Sequence, residues 1–275
     1  MMKKVSFCIS ALLLVAVNTI AQGSGKIILN KGQKFIQETS GNVVITQEVM
    51  GQAMESKIDM KSTNTIEVID VKDTSYSLSN TITKMKMNIS AMGQDMNYDS
   101  EKEDNDSAIS KGMSKVLNNP RKQDISKTGK PINSTENNAT DSGDNVMAGL
   151  QYIVGNSDAF QTIPSKASVG YSWQDSVSKD DTKLNTTYTV KELKGNDVTV
   201  SVKGTVQVNQ DTEVQNMKFT THSTGAFSGE LIVDSKTGVV KQRNNKVETT
   251  GTIDIMGQQI PITTKVTTET TVKSM

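Results

Sequence analysis

Cysteine is almost missing from this sequence: Cys8 is the one copy in 275 residues. Histidine is as scarce, with His222 alone. Aromatics are few, at 5 Phe, 5 Tyr and 1 Trp. Bulk charge of one sign is absent too, since Lys+Arg and Asp+Glu each number 30. Each shortage excludes something. Without paired cysteines there is no disulfide framework and no thiolate metal site. One histidine is too few for a histidine-based zinc site. A Ser-His-Asp triad would have to use His222, and no Gly-x-Ser-x-Gly elbow accompanies it. A balanced charge gives no basic field to attract nucleic acid, so no nucleic-acid partner is expected. No phosphate loop or Gly-x-Gly-x-x-Gly turn occurs.

Long apolar runs are missing except at the start. Lys3 and Lys4 precede an apolar stretch over residues 5–17, and Thr19-Ile20-Ala21 supplies small residues at −3 and −1 of a cleavage site. That stretch is shorter than the roughly 20 residues a spanning helix needs. Residues 1–21 therefore read as a signal peptide cleaved after Ala21, leaving Gln22 as the new N-terminus. Cys8 sits early in the apolar run and not at its end, unlike a lipoprotein cysteine, and would leave with the signal. An exported chain without cysteine fits a bacterial periplasm or secretion better than a eukaryotic exit route. No later segment is apolar enough to be a transmembrane helix.

What the chain does have is strand chemistry. Thr, Val and Ile are abundant, and period-2 alternation dominates. Ile260, Ile262, Val266 and Val272 share one parity of a C-terminal ribbon, opposite Pro261, Thr263, Lys265, Glu269 and Lys273. Met85, Met87 and Ile89 alternate with Lys84, Lys86 and Asn88, and Val198, Val200 and Val202 with Thr199, Ser201 and Lys203. Met-Gly-Gln occurs three times, around Gly51, Gly93 and Gly257, and each reads as a hairpin tip because glycine accepts positive φ. Further turns are expected at Lys72-Asp73, at Gly195-Asn196, and at the two Ser-Lys-Thr-Gly stretches ending in Gly129 and Gly238. Pro261 needs an edge or a bulge, where its missing N–H is not called on.

The expected fold is all-β: long antiparallel hairpins in one strongly bent sheet or open barrel. The order of features repeats, with Gly32-x-x-Phe35 matching Gly170-x-x-Trp173 and Ser126–Gly129 matching Ser235–Gly238. This suggests two duplicated halves, 22–130 and 146–275, that pack as one domain. Residues 131–145 are polar and turn-rich and read as a flexible linker. Short helices are expected at 108–117 and 146–153.

Candidate sites are few. The 14 methionines suit an adaptable apolar surface or gap-filling in an aromatic-poor core. Met85, Met87 and Ile89 are the candidate hydrophobic-ligand face. A copper(I)-thioether site would need support that Met85 and Met87 lack. The acids around 99–106 lack the glycine of a calcium loop and are interrupted by Lys102, so a solvated loop is expected. Asp106-Ser107-Ala108 and Asp175-Ser176-Val177 match a short bacterial O-glycosylation pattern, with Ser107 and Ser176 as acceptors. Two carboxylates for glycoside hydrolysis would want aromatic sugar platforms, and Trp173 alone is a poor one. No catalytic residue, cofactor or metal ligand is expected.

Several features together resemble an uncharacterised family of exported bacterial proteins, a domain of unknown function. They are Gly32-x-x-Phe35, the Met-Gly-Gln hairpins, Tyr98-Asp99-Ser100, and Pro164 ahead of Gly170-x-x-Trp173. Asp234-x-x-Thr237-Gly238 completes the set, so the resemblance spans nearly all of the chain after the signal. It implies an all-β fold and brings no activity or site residues. The functional expectation is a non-enzymatic envelope protein that binds a lipid or another hydrophobic partner. The alternative is a structural or protein-interaction component of the envelope, with a carboxylate-dependent hydrolase as a remote third.

Overall fold

The structure is a computed structural model, described here for residues 25–49, 51–91, 93–102, 110, 113–114, 116–134, 159–179, 182–214, 217–255 and 257–275. Its described residues are almost entirely strand. In chain order the strands are β1 (Lys34–Val49), β2 (Gln52–Val71), β3 (Ser75–Ala91), β4 (Gln94–Asp99), β5 (Arg121–Ser126) and β6 (Pro131–Ser134). Then follow β7 (Ser172–Lys179), β8 (Thr182–Lys194), β9 (Asp197–Val214), β10 (Met217–Asp234), β11 (Val240–Ile255) and β12 (Gln258–Ser274).

All twelve belong to one antiparallel sheet, in the order β6-β5-β3-β2-β1-β12-β11-β10-β9-β8-β7, with β4 added beside the far half of β3. The first and last strands, β1 and β12, meet in the middle along thirteen residue pairs from Phe35–Ser274 to Gln47–Ile262. Hairpins then extend the sheet outward on both sides. The two halves therefore share one sheet, and that sheet is open, ending at β6 and β7.

The expected turns are where the glycines require them. Gly51, Gly93 and Gly257 have φ of 75°, 76° and 86° at the tips of β1–β2, β3–β4 and β11–β12. Pro261 pairs with Thr252 of β11 and lies one residue beyond the last β1 partner of β12, so no neighbour asks for its N–H. One expectation is corrected: Pro131–Ser134 is not linker but strand β6, pairing Gln123 with Ser134 and Asp124 with Asn133. Within the helix expected at 108–117, residues 110, 113 and 114 are helical, ahead of a bridge from Leu117 to Ile82, and its other residues before 116 lie outside the described ones. The rest of the linker and the helix expected at 146–153 lie outside the described residues.

The sheet is sharply bent. Ile27 N donates to Lys127 O in the β5–β6 turn (2.7 Å), and Ile28 N donates to Thr237 O in the β10–β11 turn (2.9 Å). In a flat sheet β5 and β11 would lie about 24 Å apart. One short N-terminal segment touches both turns, so the sheet must curl to bring them together. The alternate residues on its inner face form three apolar clusters. One sits at this clasp, with Ile27, Leu29, Phe35, Ile66 and Tyr76, and Phe35 meets Phe160 edge-on at 5.5 Å. A methionine-rich cluster follows along β1–β3, and a Val-rich one lies under β8–β11.

The feature order shared by the halves recurs as hydrogen bonding. Gly32 N donates to Val68 O and Val68 N returns to Gln33 O; Gly170 N donates to Val190 O and Val190 N returns to Tyr171 O. The two Ser-Lys-Thr-Gly stretches are offset by one residue in the ladder. Ser126 closes β5 opposite Ser75, whereas Asp234, one residue before Ser235, closes β10 opposite Asp197.

Candidate functional site

The sheet presents two unlike faces, because successive side chains point to opposite sides of a strand. On the inner face, cross-strand register builds one continuous apolar row. It runs Ile89, Ile58, Val43, Val266, Val247 and Phe227 over β3, β2, β1, β12, β11 and β10. Its β3 end is buried, with Ile89, Ile58 and Val43 at 8%, 8% and 4% exposure. Its β12–β10 end, with Val266, Val247 and Phe227, is only half-buried. Next in the row Gly204 faces Phe227, and the Phe227 ring occupies the space a Cβ at 204 would need.

The candidate ligand residues lie at the buried end. Met85 and Met87 are 4% and 2% exposed, packed with Ile89, Met113 and Val116. Here methionine fills an irregular gap under a short helical segment, the use its flexibility suits. The half-open surface continues from it, with Val266 packed against this cluster and Phe227 against the Val-rich one, and its single Val and Phe residues gave no sequence signal of a site.

The outer face is polar and carries a hollow of about 750 Å³ over β4, β3, β2, β1 and β12. Two rows of side chains line it, and neither is visible along the chain. One is Asn97, Asn88, Asp59, Asn42 and Thr267. The next is Asp99, Lys86, Lys61, Ser40 and Glu269. Backbone of the intervening row, through Met87, Met60 and Gly41, forms the floor between them. Asn42 Nδ2 donates to Asp59 Oδ1 at 2.8 Å, which holds that pair in one orientation.

The β4 end of the hollow is electrostatically ordered. Lys86 Nζ sits 3.2 Å from Glu101 and 3.3 Å from Asp99, and Lys84 also pairs with Glu101. Asp99 is held below the usual carboxylate range, first by the Glu101 backbone N–H at 3.0 Å and then by Lys86, against some desolvation. Glu101 is lowered by Lys84 and Lys86, and Lys86 is raised by Glu101 and Asp99. Ser100 explains the Tyr98-Asp99-Ser100 signal. Its N–H donates to Met85 O, and its Oγ accepts from Met85 N, both at 2.9 Å, tying the end of β4 back onto β3.

The remaining candidates are scattered. Ser176 lies on edge strand β7, its hydroxyl donating to Asn185 Oδ1 at 2.8 Å, while Asp175 accepts from Lys130 at 2.8 Å. Ser107 and the cleavage position after Ala21 lie outside the described residues. His222 is on the outer face of β10, its Nδ1 3.1 Å from Asn209 Oδ1. Trp173 stacks on Tyr188 at 5.1 Å and 12°, with Tyr171 6.2 Å beyond. Among the described residues no three His, Cys, Asp or Glu side chains gather to hold a metal. No helix among them is long and apolar enough to cross a membrane.

Fold and faces together define an open, strongly bent, antiparallel sheet protein whose outer face is polar and whose inner face carries apolar clusters separated by buried polar residues such as Gln37, Thr39, Ser62, Asn64 and Thr270. Residues 155–240 match the model of a family described as "Family of unknown function (DUF6263)". That span holds the second-half signals, Pro164, Gly170, Trp173 and Asp234 to Gly238, and is narrower than the resemblance along the chain suggested. No curated protein matches the sequence. Among solved structures, one described as lipid-protein interactions in lipovitellin is 14% identical with a TM-score of 0.48. It covers 90% of this chain and 25% of that one, so the chain spans about a quarter of that protein's length. An outer membrane channel from Pseudomonas putida F1 is 8% identical with a TM-score of 0.26, covering 91% and 98%. Similarity this distant bears on neither ligand nor activity.

Proposed function

We propose that this is an exported, non-enzymatic binding protein of the bacterial envelope that holds a lipid or similar hydrophobic ligand against the inner face of its sheet. One observation carries the reading: the apolar row that is buried at β3 is only half-buried from Val266 to Phe227. Apolar surface left accessible in a concave face gains free energy, about 25 cal/mol per Å², when a ligand covers it. Valine and phenylalanine there offer no charge or hydrogen bond, so an acyl chain fits them and a polar solute does not.

Native mass spectrometry after gentle purification tests this. The expected result is a co-purified lipid mass, or a shift on adding lipid extract, that is lost in Val247→Lys. An unliganded mass that stays unchanged with extract would overturn it.

A second reading, an interaction component of the envelope, draws on the open edge. Among the described residues strand β7 pairs only with β8, and Val177 within it and Tyr171 just before it are 49% and 44% exposed. An edge with free N–H and C=O groups and apolar neighbours is a template for strand addition. Crosslinking in cells from position 177 would recover a specific partner on this reading and none on the first.

A further inference from the structure

The hollow on the outer face lies across the sheet from the half-buried inner row, and we propose that it is a second binding site, for a neutral glycan chain. The argument starts from charge. Its walls carry Lys61, Lys86 and Lys102 against Asp59, Asp99 and Glu269. The charges cancel, so the hollow has no net field to select a polyanion or a polycation. Its hydrogen-bonding capacity is nevertheless high. Asn42, Asn88 and Asn97 each offer an amide that both donates and accepts, the carboxylates accept, and the lysines donate. A ligand matched to this pattern presents many groups that are donor and acceptor at once, without charge. Vicinal hydroxyls of a sugar are such groups, and a carboxylate beside an amide can take a hydroxyl pair.

Shape points the same way. The rows cross five strands, a length of about 19 Å at the ordinary strand spacing. That suits a short oligosaccharide lying across the strands better than a single small solute. A peptide strand would favour a sheet edge with free backbone groups, whereas the strands beneath the hollow from β3 to β1 are paired on both sides.

The hollow's donors are not all engaged within the protein. Lys61 lies directly opposite Lys86 in the register, and like charges so placed repel. Lys86 is compensated by Asp99 and Glu101. Lys61 makes no ion pair among the described residues, and its ammonium is left to donate into the hollow. The Asn42–Asp59 hydrogen bond, by contrast, fixes one recognition pair before any ligand arrives. Fixed groups lose less entropy on binding.

The test is calorimetry and a glycan panel on the intact chain. The probes are neutral hexasaccharides of gluco, manno and N-acetylgluco configuration, with oligogalacturonate as the charged arm. At least one neutral hexasaccharide is expected to bind, more tightly than its disaccharide, and with little dependence on salt. Asp59→Asn and Asn88→Ala should each weaken that binding about tenfold or more while leaving the thermal unfolding curve in place. Lys203→Ala, on the polar face of β9 away from the hollow, should leave it unchanged. Failure of every neutral probe overturns the proposal. Binding of the galacturonate alone, abolished by salt, also overturns it and makes Lys61 part of an anion site. Neither result touches the inner-face reading, whose test uses lipid and Val247.

Discussion

Single residues matter most where they titrate or turn the chain. Lys86 is fixed by two carboxylates whose ordinary pKa values, 3.8 and 4.5, are both lowered, while its own, 10.5, is raised. The signs set a window. A lowered carboxylate stabilises the fold above its ordinary value and loses that contribution as pH falls through the depressed one. A raised lysine contributes below its ordinary value and loses it as pH rises through the elevated one. The β3–β4 attachment should therefore be constant through neutral pH and loosen at both extremes. Side-chain NMR titration of Asp99 and Glu101 should give midpoints below ordinary carboxylates, and Lys86→Met should move both upward. An unmoved Glu101 would show that Lys84 alone sets it. The charges of 99–102 were legible in the sequence as a solvated loop. Their partners were not, since Lys84 and Lys86 come from a strand whose pattern reads only as alternation.

Elements were the most legible level. Alternation in β3, β9 and β12 and the three Met-Gly-Gln tips appear in the structure with the expected parity and positive φ. Positional period and turn chemistry are local, so they survive without tertiary context. One element departs from its sequence pattern: Pro131–Ser134 is polar and is ordered by its pairing to β5, a long-range contact that its own residues do not signal. Inside β9, Gly204 is an element-scale device: a Cβ there would overlap Asn185 O and the Phe227 ring. Gly204→Val should destabilise the protein by about 1–3 kcal/mol through overpacking. Amide exchange should accelerate first in β8–β10. Uniform loss of protection would mean that the clash at position 204 is passed to the whole sheet instead of staying local.

At the scale of the molecule the clasp decides the shape. Gly129 and Gly238, both with positive φ, close the two turns that Ile27 and Ile28 join. A Cβ on Gly129 would come within 2.9 Å of Ile27 Cδ1, and one on Gly238 within 3.0 Å of Ile27 Cγ1. Tyr76 adds a donor to Ile27 O at 2.7 Å. Gly51 has similar φ but open space around it. Alanine at Gly51 or at Gly129 meets the left-handed penalty of about 1–2 kcal/mol, and of these two only Gly129→Ala also presses on Ile27. Denaturant unfolding should show Gly129→Ala as the more destabilising, with the excess reduced in an Ile27→Ala background. Equal costs would mean that the clasp yields without strain.

Local sequence dictates the strand chemistry, the parity of each ribbon, the hairpin tips and the scarcity of cysteine and histidine. All of these are properties of neighbouring residues or of composition. The folded sheet sets how far it curls, which methionines are sealed and which apolar side chains stay half-open. It alone assembled Asn97, Asn88, Asp59, Asn42 and Thr267 into one row. Those five residues come from five strands, and their adjacency follows from long-range register, which no short stretch of sequence encodes.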